Sequence, residues 1–259
     1  MSNAPTEERD WPSLGIVVPV YNEGEGIEHA CREIAAVAAR YRGPATVIAV
    51  DDGSADDSGR ELDRLAAELD ALEAVHHPQN AGYGAALRTG AERASELGLE
   101  YVAFIDSDLT NPPEDLLKIG ELARAGHTYI KASRFVAGGS MEEVPPVRRL
   151  FSRSANLTAK ALFGTGVRDV TNGFRAMRTD LFLSLPLHER GFAVIVEEFD
   201  IARRRGIDVV EFPTVLGSRG EEQRPTTFLP YSPALVRSYL RYPVGALLRR
   251  VRGRAGDAR

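Results

Sequence analysis

Short apolar runs alternate along the chain with stretches whose apolar residues recur every three to four positions. The runs fall at about 14–20, 45–50, 72–76, 101–105 and 128–132, and the helical patterns at about 25–41, 57–70, 81–97 and 114–125. A run apolar at consecutive positions reads as a strand buried on both faces. Strands alternating with helices predict an α/β fold with a mainly parallel sheet flanked by helices. Leu62, Leu65, Leu69 and Leu72 form a core stripe in the second helical pattern. Cys31, at the spacing of Ile27, Ile34 and Ala38, reads as a small core residue, and one cysteine excludes an internal disulfide.

Beyond the fifth run the pattern breaks. Gly138 to Pro146 combines glycine, charge and paired proline and is expected to be a mobile loop. A helix is expected from near Val147, with Arg149 and Arg153 on one face, Arg148 nearby, and Leu150, Leu157 and Ala161 at apolar spacing. Taken alone, those arginines read as a solvated helix face. From Pro233 onward, Leu235, Val236, Tyr239, Leu240, Val244, Leu247, Leu248 and Val251 have helical spacing among Arg237, Arg241, Arg249, Arg250, Arg252 and Arg254. That pattern suits either a basic amphipathic helix lying on anionic lipid or an ordinary docked helix with a basic tail. The expected organisation is a disordered N-terminus at 1–12, one α/β domain at 13–229, and the basic helix and tail at 230–259.

Composition narrows the class. A chain of 259 residues with 43% hydrophobic content is long enough for one sizeable core. The net charge of −5 argues against a nucleic-acid partner, whose phosphates would call for a basic excess. Met1 to Trp11 is polar and no run of about 18 apolar residues occurs, so neither a signal peptide nor a spanning helix is expected.

The candidate chemistry lies at the ends of two apolar runs. Val50-Asp51-Asp52-Gly53-Ser54 follows the second, and Phe104-Ile105-Asp106-Ser107-Asp108 follows the fourth. In open α/β sheets ligands bind at the carboxyl ends of strands, so both acidic clusters are expected to face one crevice. A D-x-D pair there is suited to a hard divalent cation that neutralises a diphosphate. Asp-Gly-Ser is also simply a turn signal. Two further segments complete a fixed order: Val17-Val18-Pro19-Val20-Tyr21-Asn22-Glu23 at the first strand, and Gln79-Asn80-Ala81-Gly82-Tyr83-Gly84 opening a helix.

With these segments, with Asp106-Ser107-Asp108-Leu109-Thr110-Asn111-Pro112-Pro113-Glu114, Ala132-Ser133-Arg134-Phe135 and Asp169-Val170-Thr171-Asn172-Gly173-Phe174-Arg175-Ala176, the chain resembles the family 2 glycosyltransferases of GT-A (Rossmann-like) fold. Within them it resembles the polyprenyl-phosphate, dolichol-phosphate mannose synthase-like branch, over roughly residues 13 to 225. The resemblance implies a nucleotide-sugar pocket of Pro19, Tyr21, Glu23, Val50, Asp52, Asn80, Gly82 and Gly84, with Asp106, Ser107 and Asp108 on the diphosphate. Asp106 and Asp108 would hold Mg²⁺ or Mn²⁺. Arg134 and Arg149 would anchor the acceptor phosphate, with Arg153 and Arg219 beside them. The implied enzyme is an inverting, metal-dependent hexosyltransferase. It would move one sugar, mannose or another hexose, from a GDP- or UDP-hexose to polyprenyl phosphate, as a peripheral protein on the cytoplasmic face of the cell membrane, with a homo-oligomer left open.

Two positions depart from the branch pattern: Thr110 stands where a metal-binding glutamine can occur, and Ser218-Arg219-Gly220-Glu221-Glu222 replaces a loop usually reading Arg, then Gly-Glu-Ser-Lys. Three alternatives remain. A soluble glycosyltransferase acting on a small hydroxyl acceptor would need a carboxylate base, for which Glu197 or Glu198 is the candidate. A non-catalytic nucleotide-sugar-binding module would keep the pocket without turnover. A nucleotidyltransferase would need a glycine-rich, basic loop after the first strand, and none follows Tyr21.

Overall fold

The computed structural model describes residues 10–24, 26–141, 144, 146–217 and 233–256. Chain order is β1 (Leu14–Val20), α1 (Gly26–Ala38), β2 (Ala45–Asp51), α2 (Ser58–Glu68), β3 (Leu72–His76), α3 (Tyr83–Glu96), β4 (Tyr101–Phe104), α4 (Asp115–Arg124), β5 (Tyr129–Ser133), α5 (Pro146–Phe163), β6 (Arg175–Arg178), α6 (Thr179–Ser184), α7 (Val194–Arg204), β7 (Val210–Pro213) and α8 (Pro233–Gly256). One sheet of seven strands has the order β3-β2-β1-β4-β6-β5-β7. All strand pairings are parallel except those of β6, which runs antiparallel to both β4 and β5. The mainly parallel, helix-flanked sheet expected from the sequence is thus present.

The strands are apolar at successive positions because each face meets helices. Leu14, Ile16, Val18 and Val20 of β1 pack towards α1, α2 and α4, whereas Val17 joins Ile48, Val50 and Phe104 under α3, α6 and α7. The five sequence-expected strands are all found, but β6 and β7 are additional. β6 inverts direction yet leaves β4 and β5 parallel to one another, so their carboxyl ends share one edge of the sheet.

A third apolar cluster joins α5, α7 and α8, with Ala159, Phe163, Phe199 and Ala246 buried. Trp11 and Pro12, which the sequence reading places in a disordered terminus, are packed: Trp11 meets Tyr41 edge-on and the Pro12 carbonyl accepts a hydrogen bond from the Tyr41 hydroxyl at 2.7 Å. Of the expected mobile loop, Met141 and Val144 are buried, while Glu142, Glu143 and Pro145 lie outside the described residues. Cys31 is buried, which pushes its thiol up to about 12 and leaves it an unreactive core residue. No helix among the described residues is long and apolar enough to cross a membrane.

Candidate active site

Both acidic clusters sit at the carboxyl edge of the sheet, after β2 and β4, with β1 between them. The start of α3 joins them. Asp52 is buried, and its carboxylate accepts hydrogen bonds from the backbone N–H of Ala81 and of Gly82, both at 2.8 Å, and approaches His77 Nδ1 at 2.7 Å. One residue on, the Tyr83 hydroxyl donates to Asp106 Oδ1 at 3.0 Å. Burial, then the negative charge of Asp106, pushes the Tyr83 phenol well above its ordinary range, so it remains a donor. Tyr83 also stacks on Phe192 at 4.4 Å between ring centroids.

Gly82 and Gly84 have a steric reason to be glycine. Gly82 has φ of +100°, and a Cβ there would lie 2.5 Å from the Arg190 carbonyl oxygen; at Gly84 a Cβ would lie 2.3 Å from that of Glu189. The Gly84 N–H donates to the Arg190 carbonyl at 2.7 Å. The two positions that the resemblance assigns to the nucleotide pocket thus seat the 189–190 backbone, and Asp52 holds the turn that carries them. Pro19 and Glu23 are half-buried, Tyr21 and Asn80 exposed, and Val50 and Ser107 buried.

Asp108 Oδ1 accepts hydrogen bonds from both the backbone N–H and the hydroxyl of Thr110, at 3.1 and 2.9 Å. Thr110 therefore fixes Asp108 rather than extending the ligand set. Among the described residues no three His, Cys, Asp or Glu side chains group to hold a metal ion. What the motif offers is two carboxylates separated by one residue, hard oxygen donors whose chemistry suits Mg²⁺ or Mn²⁺. The carbonyl of Thr110 accepts the Gly217 N–H at 2.8 Å, which brings the chain back to the acidic motif. Arg219 lies outside the described residues.

Arg134 follows β5 on the same edge. Its guanidinium grips Asp169 through Nε at 2.7 Å and Nη2 at 2.8 Å, and its backbone N–H also reaches Asp169 at 3.0 Å. Burial would raise the Asp169 carboxyl, but the Arg134 charge and hydrogen bonds outweigh it and hold the group below the usual carboxylate range. The rest of the 169–175 motif is similarly internal. Asn172 reaches the Ala132 carbonyl and Asn111, and Asn156 of α5 binds both the Val170 N–H and the Thr171 hydroxyl.

These contacts frame a cleft of about 370 Å³ lined by Arg134, Arg153, Lys160 and Arg168, with Asn156 and the apolar Phe135, Val136 and Leu157. The structure thus brings Arg134 and Arg153 together, whereas Arg149, half-buried on the first turn of α5, does not line the cleft. Sequence reasoning missed Lys160 and Arg168. Lys160 follows Arg149 and Arg153 at helical spacing, a signal available in the sequence; Arg168 becomes adjacent only through tertiary folding.

Glu197 and Glu198, the candidate base pair, are both buried and both engaged. Glu197 Oε2 accepts the backbone N–H groups of His188 and Glu189 at 3.0 and 2.8 Å. Glu198 receives Arg175 Nε and Nη2 at 2.8 and 2.6 Å and the Tyr129 hydroxyl at 2.6 Å. Neither carboxylate is placed as a base for an incoming hydroxyl.

Residues 15–185 match the family described as Glycosyl transferase family 2. Polyprenol monophosphomannose synthase of Mycolicibacterium smegmatis is 29% identical over 215 residues, covering 79% of this chain and 77% of that protein. Undecaprenyl-phosphate mannosyltransferase of Micrococcus luteus is 29% identical over 207 residues, covering 78% and 83%. Among solved structures, glucosyl-3-phosphoglycerate synthase from Mycobacterium tuberculosis in complex with uridine diphosphate superposes with a TM-score of 0.65 at 24% identity, over 91% of this chain and 80% of that one. The same enzyme with Mn²⁺, uridine diphosphate and phosphoglyceric acid gives 0.63 at 23% identity, over 91% and 78%.

Proposed function

The chain belongs to glycosyl transferase family 2 and is a glycosyltransferase, and from that premise we propose that it transfers one hexose from a nucleotide-sugar to a polyprenyl phosphate, with inversion, at a membrane surface. The observation that carries this reading is the pairing of a cationic, partly apolar cleft with a sheet edge whose candidate carboxylate bases are both occupied. A phosphate monoester, with a second pKa of about 6, is largely dianionic near neutral pH and attacks without a base. A hydroxyl acceptor needs one. The relatives named as mannosyltransferases of polyprenol or undecaprenyl phosphate point the same way.

In this reading the donor diphosphate lies against Asp106, Ser107 and Asp108, with Pro19, Tyr21, Glu23 and Asn80 at the nucleotide end. Asp106 and Asp108 would hold Mg²⁺ or Mn²⁺, which supplies charge neutralisation for the departing nucleoside diphosphate. Tyr83 keeps Asp106 oriented through its hydrogen bond. Asp52 and Glu197 hold the turns at 81–82 and 188–189. Arg153, Lys160 and Arg168 bind the acceptor phosphate and offset its repulsion from the donor, while Phe135, Val136 and Leu157 meet the first isoprene units. Arg134, neutralised by Asp169 and bound to the Thr171 hydroxyl, fixes the wall of that cleft. Attack from the face opposite the leaving diphosphate inverts the anomeric centre, giving a β-linked lipid phosphosugar from an α-linked donor.

A second reading rests on the fold shared with glucosyl-3-phosphoglycerate synthase: a cationic cleft would also accept a small phosphorylated acceptor. The test is transfer from GDP-mannose and from UDP-glucose, with Mn²⁺, to a short-chain prenyl phosphate, the matching prenol and phosphoglycerate. The expected result is product with the prenyl phosphate alone, lost on Asp108→Asn. Transfer to prenol, or faster transfer to phosphoglycerate, refutes the lipid-acceptor reading.

A further inference from the structure

Helix α8 has two opposed faces. The inner one is docked: Ala246 and Pro243 are buried, and Ala246 meets the Phe163 and Phe199 cluster between α5 and α7. Arg249 Nη2 reaches both carboxylate oxygens of Asp200 at 2.8 and 2.7 Å, and the Tyr242 hydroxyl donates to Glu189 Oε1 at 2.8 Å. The outer face carries Leu240, Val244, Leu247, Leu248 and Val251, each between 37% and 57% exposed. Their spacing of i, i+4, i+7, i+8 and i+11 puts all five on one stripe about 100° wide.

Arginine borders that stripe. At about 100° per residue, Arg241 and Arg252 fall along one side and Arg237 between Val244 and Leu248, all three exposed, while Arg250 turns its guanidinium to Gly164. The helix carries six arginines and no acidic residue over its 24 positions, in a chain whose net charge is −5. The positive charge of this helix is therefore not a property of the whole surface.

We propose that this outer face of α8 is a docking surface for an anionic lipid bilayer, with the apolar stripe set among the acyl chains and the bordering arginines at the headgroup phosphates. An apolar row with cationic side chains along and within it is complementary to a surface that is apolar within and anionic at its rim. A second copy of the chain fits less well, because a two-fold contact through this face would set arginine against arginine. The inference rests on the proposed lipid acceptor only for its biological purpose; the geometry stands without it.

The test is co-sedimentation of the full chain with phosphatidylcholine vesicles and with vesicles of phosphatidylcholine plus phosphatidylglycerol, neither containing polyprenyl phosphate. Binding is expected only to the anionic vesicles and is expected to weaken as salt rises. Leu248→Ser with Val251→Ser, and separately Arg237→Gln with Arg252→Gln, should each weaken it on the order of tenfold or more. Neither pair touches the docked face, so thermal unfolding and transfer to a water-soluble short-chain acceptor should be unchanged. No binding of the unaltered chain to anionic vesicles, or binding by both variants as tight as that of the unaltered chain, overturns the proposal. A dimer in solution that the leucine variant dissociates, without vesicle binding, assigns the face to a second copy and also overturns it. An unaltered chain that transfers sugar but does not bind anionic vesicles sinks this surface alone, whereas one that binds them but transfers nothing to prenyl phosphate sinks the proposed function alone.

Discussion

Glu198→Gln separates a structural carboxylate from a catalytic one. Arg175 and Glu198 are both fully buried, and the pair is bidentate, with Nε and Nη2 at 2.8 and 2.6 Å from the carboxylate. The Tyr129 hydroxyl adds a third donor to the same carboxylate, and the Arg175 guanidinium lies 4.6 Å from the Phe104 ring centroid. Removing the negative charge leaves a guanidinium in the core without its counterion, a perturbation that costs about 3–5 kcal/mol. For a domain of this size each kcal/mol moves Tm by roughly 2–4 °C, so Tm should fall on the order of 10 °C. The assay is thermal and urea unfolding, with transfer to a prenyl phosphate measured well below Tm. Residual activity per folded molecule should stay within about a factor of ten of wild type, because the group is not in contact with substrate. A double replacement, Arg175→Met with Glu198→Leu, should recover most of the lost stability, since a well-packed apolar pair can replace a buried ion pair at little cost. Unchanged stability together with abolished transfer would refute the structural assignment and restore Glu198 as a catalytic base.

The remaining expectations concern neighbouring parts of the same edge. Burial, then the charge of Arg175, pushes Lys131 down to about 8 from 10.5; between those values the unfolded chain binds more protons, so stability should rise as pH increases from about 8 to about 10. Above that, the raised phenols of Tyr83 and Tyr129 act in the opposite direction. Lys131→Met should flatten the rise, and chemical unfolding at a series of pH values measures it. Gly84→Ala would set a Cβ 2.3 Å from the Glu189 carbonyl oxygen and should lower nucleotide affinity by on the order of tenfold by calorimetry while the sheet remains folded by circular dichroism. Arg153→Ala combined with Arg168→Ala should raise KM for the prenyl phosphate by about tenfold or more and leave KM for the nucleotide-sugar unchanged. Equal effects on both substrates would place those arginines elsewhere.

What the sequence disclosed and what it concealed have physical causes. The parallel strands were legible because burial on both faces leaves an uninterrupted apolar run, as in Leu14–Val20. The carboxylates after β2 and β4 were legible because charge directly after such a run falls at a strand end. β6 was not, since Arg-Ala-Met-Arg contains no apolar run; its first arginine enters the core only because Glu198, 23 residues away, supplies the counterion. The role of Asp52 was hidden for the same reason. Its partners Ala81 and Gly82 are 29 and 30 residues distant, so a group that reads as a ligand contact is held by the backbone of the turn that leads into α3. Lys160 lay on the face already marked by Arg149 and Arg153, and only the cleft made that extension meaningful.

The same long-range contacts decide how α8 must be tested. Its Tyr242 holds the side chain of Glu189, whose N–H is bound by Glu197 and whose carbonyl lies against Gly84. Gly84 adjoins the turn that Asp52 grips and the tyrosine that orients Asp106. The docked face of α8 is therefore connected, through packed and hydrogen-bonded neighbours, to the donor side of the edge. Truncating the helix would remove the outer apolar stripe, but it would also uncover the Phe163 and Phe199 cluster and release Glu189. Loss of activity after such a truncation would follow whether or not lipid binds. Arg241 is a poor probe for the same reason, since it also pairs with Glu189 at 3.7 Å; substitutions confined to Leu248, Val251, Arg237 and Arg252 leave the Tyr242, Ala246 and Arg249 contacts in place, so a change in vesicle binding on those variants reports on the outer face alone.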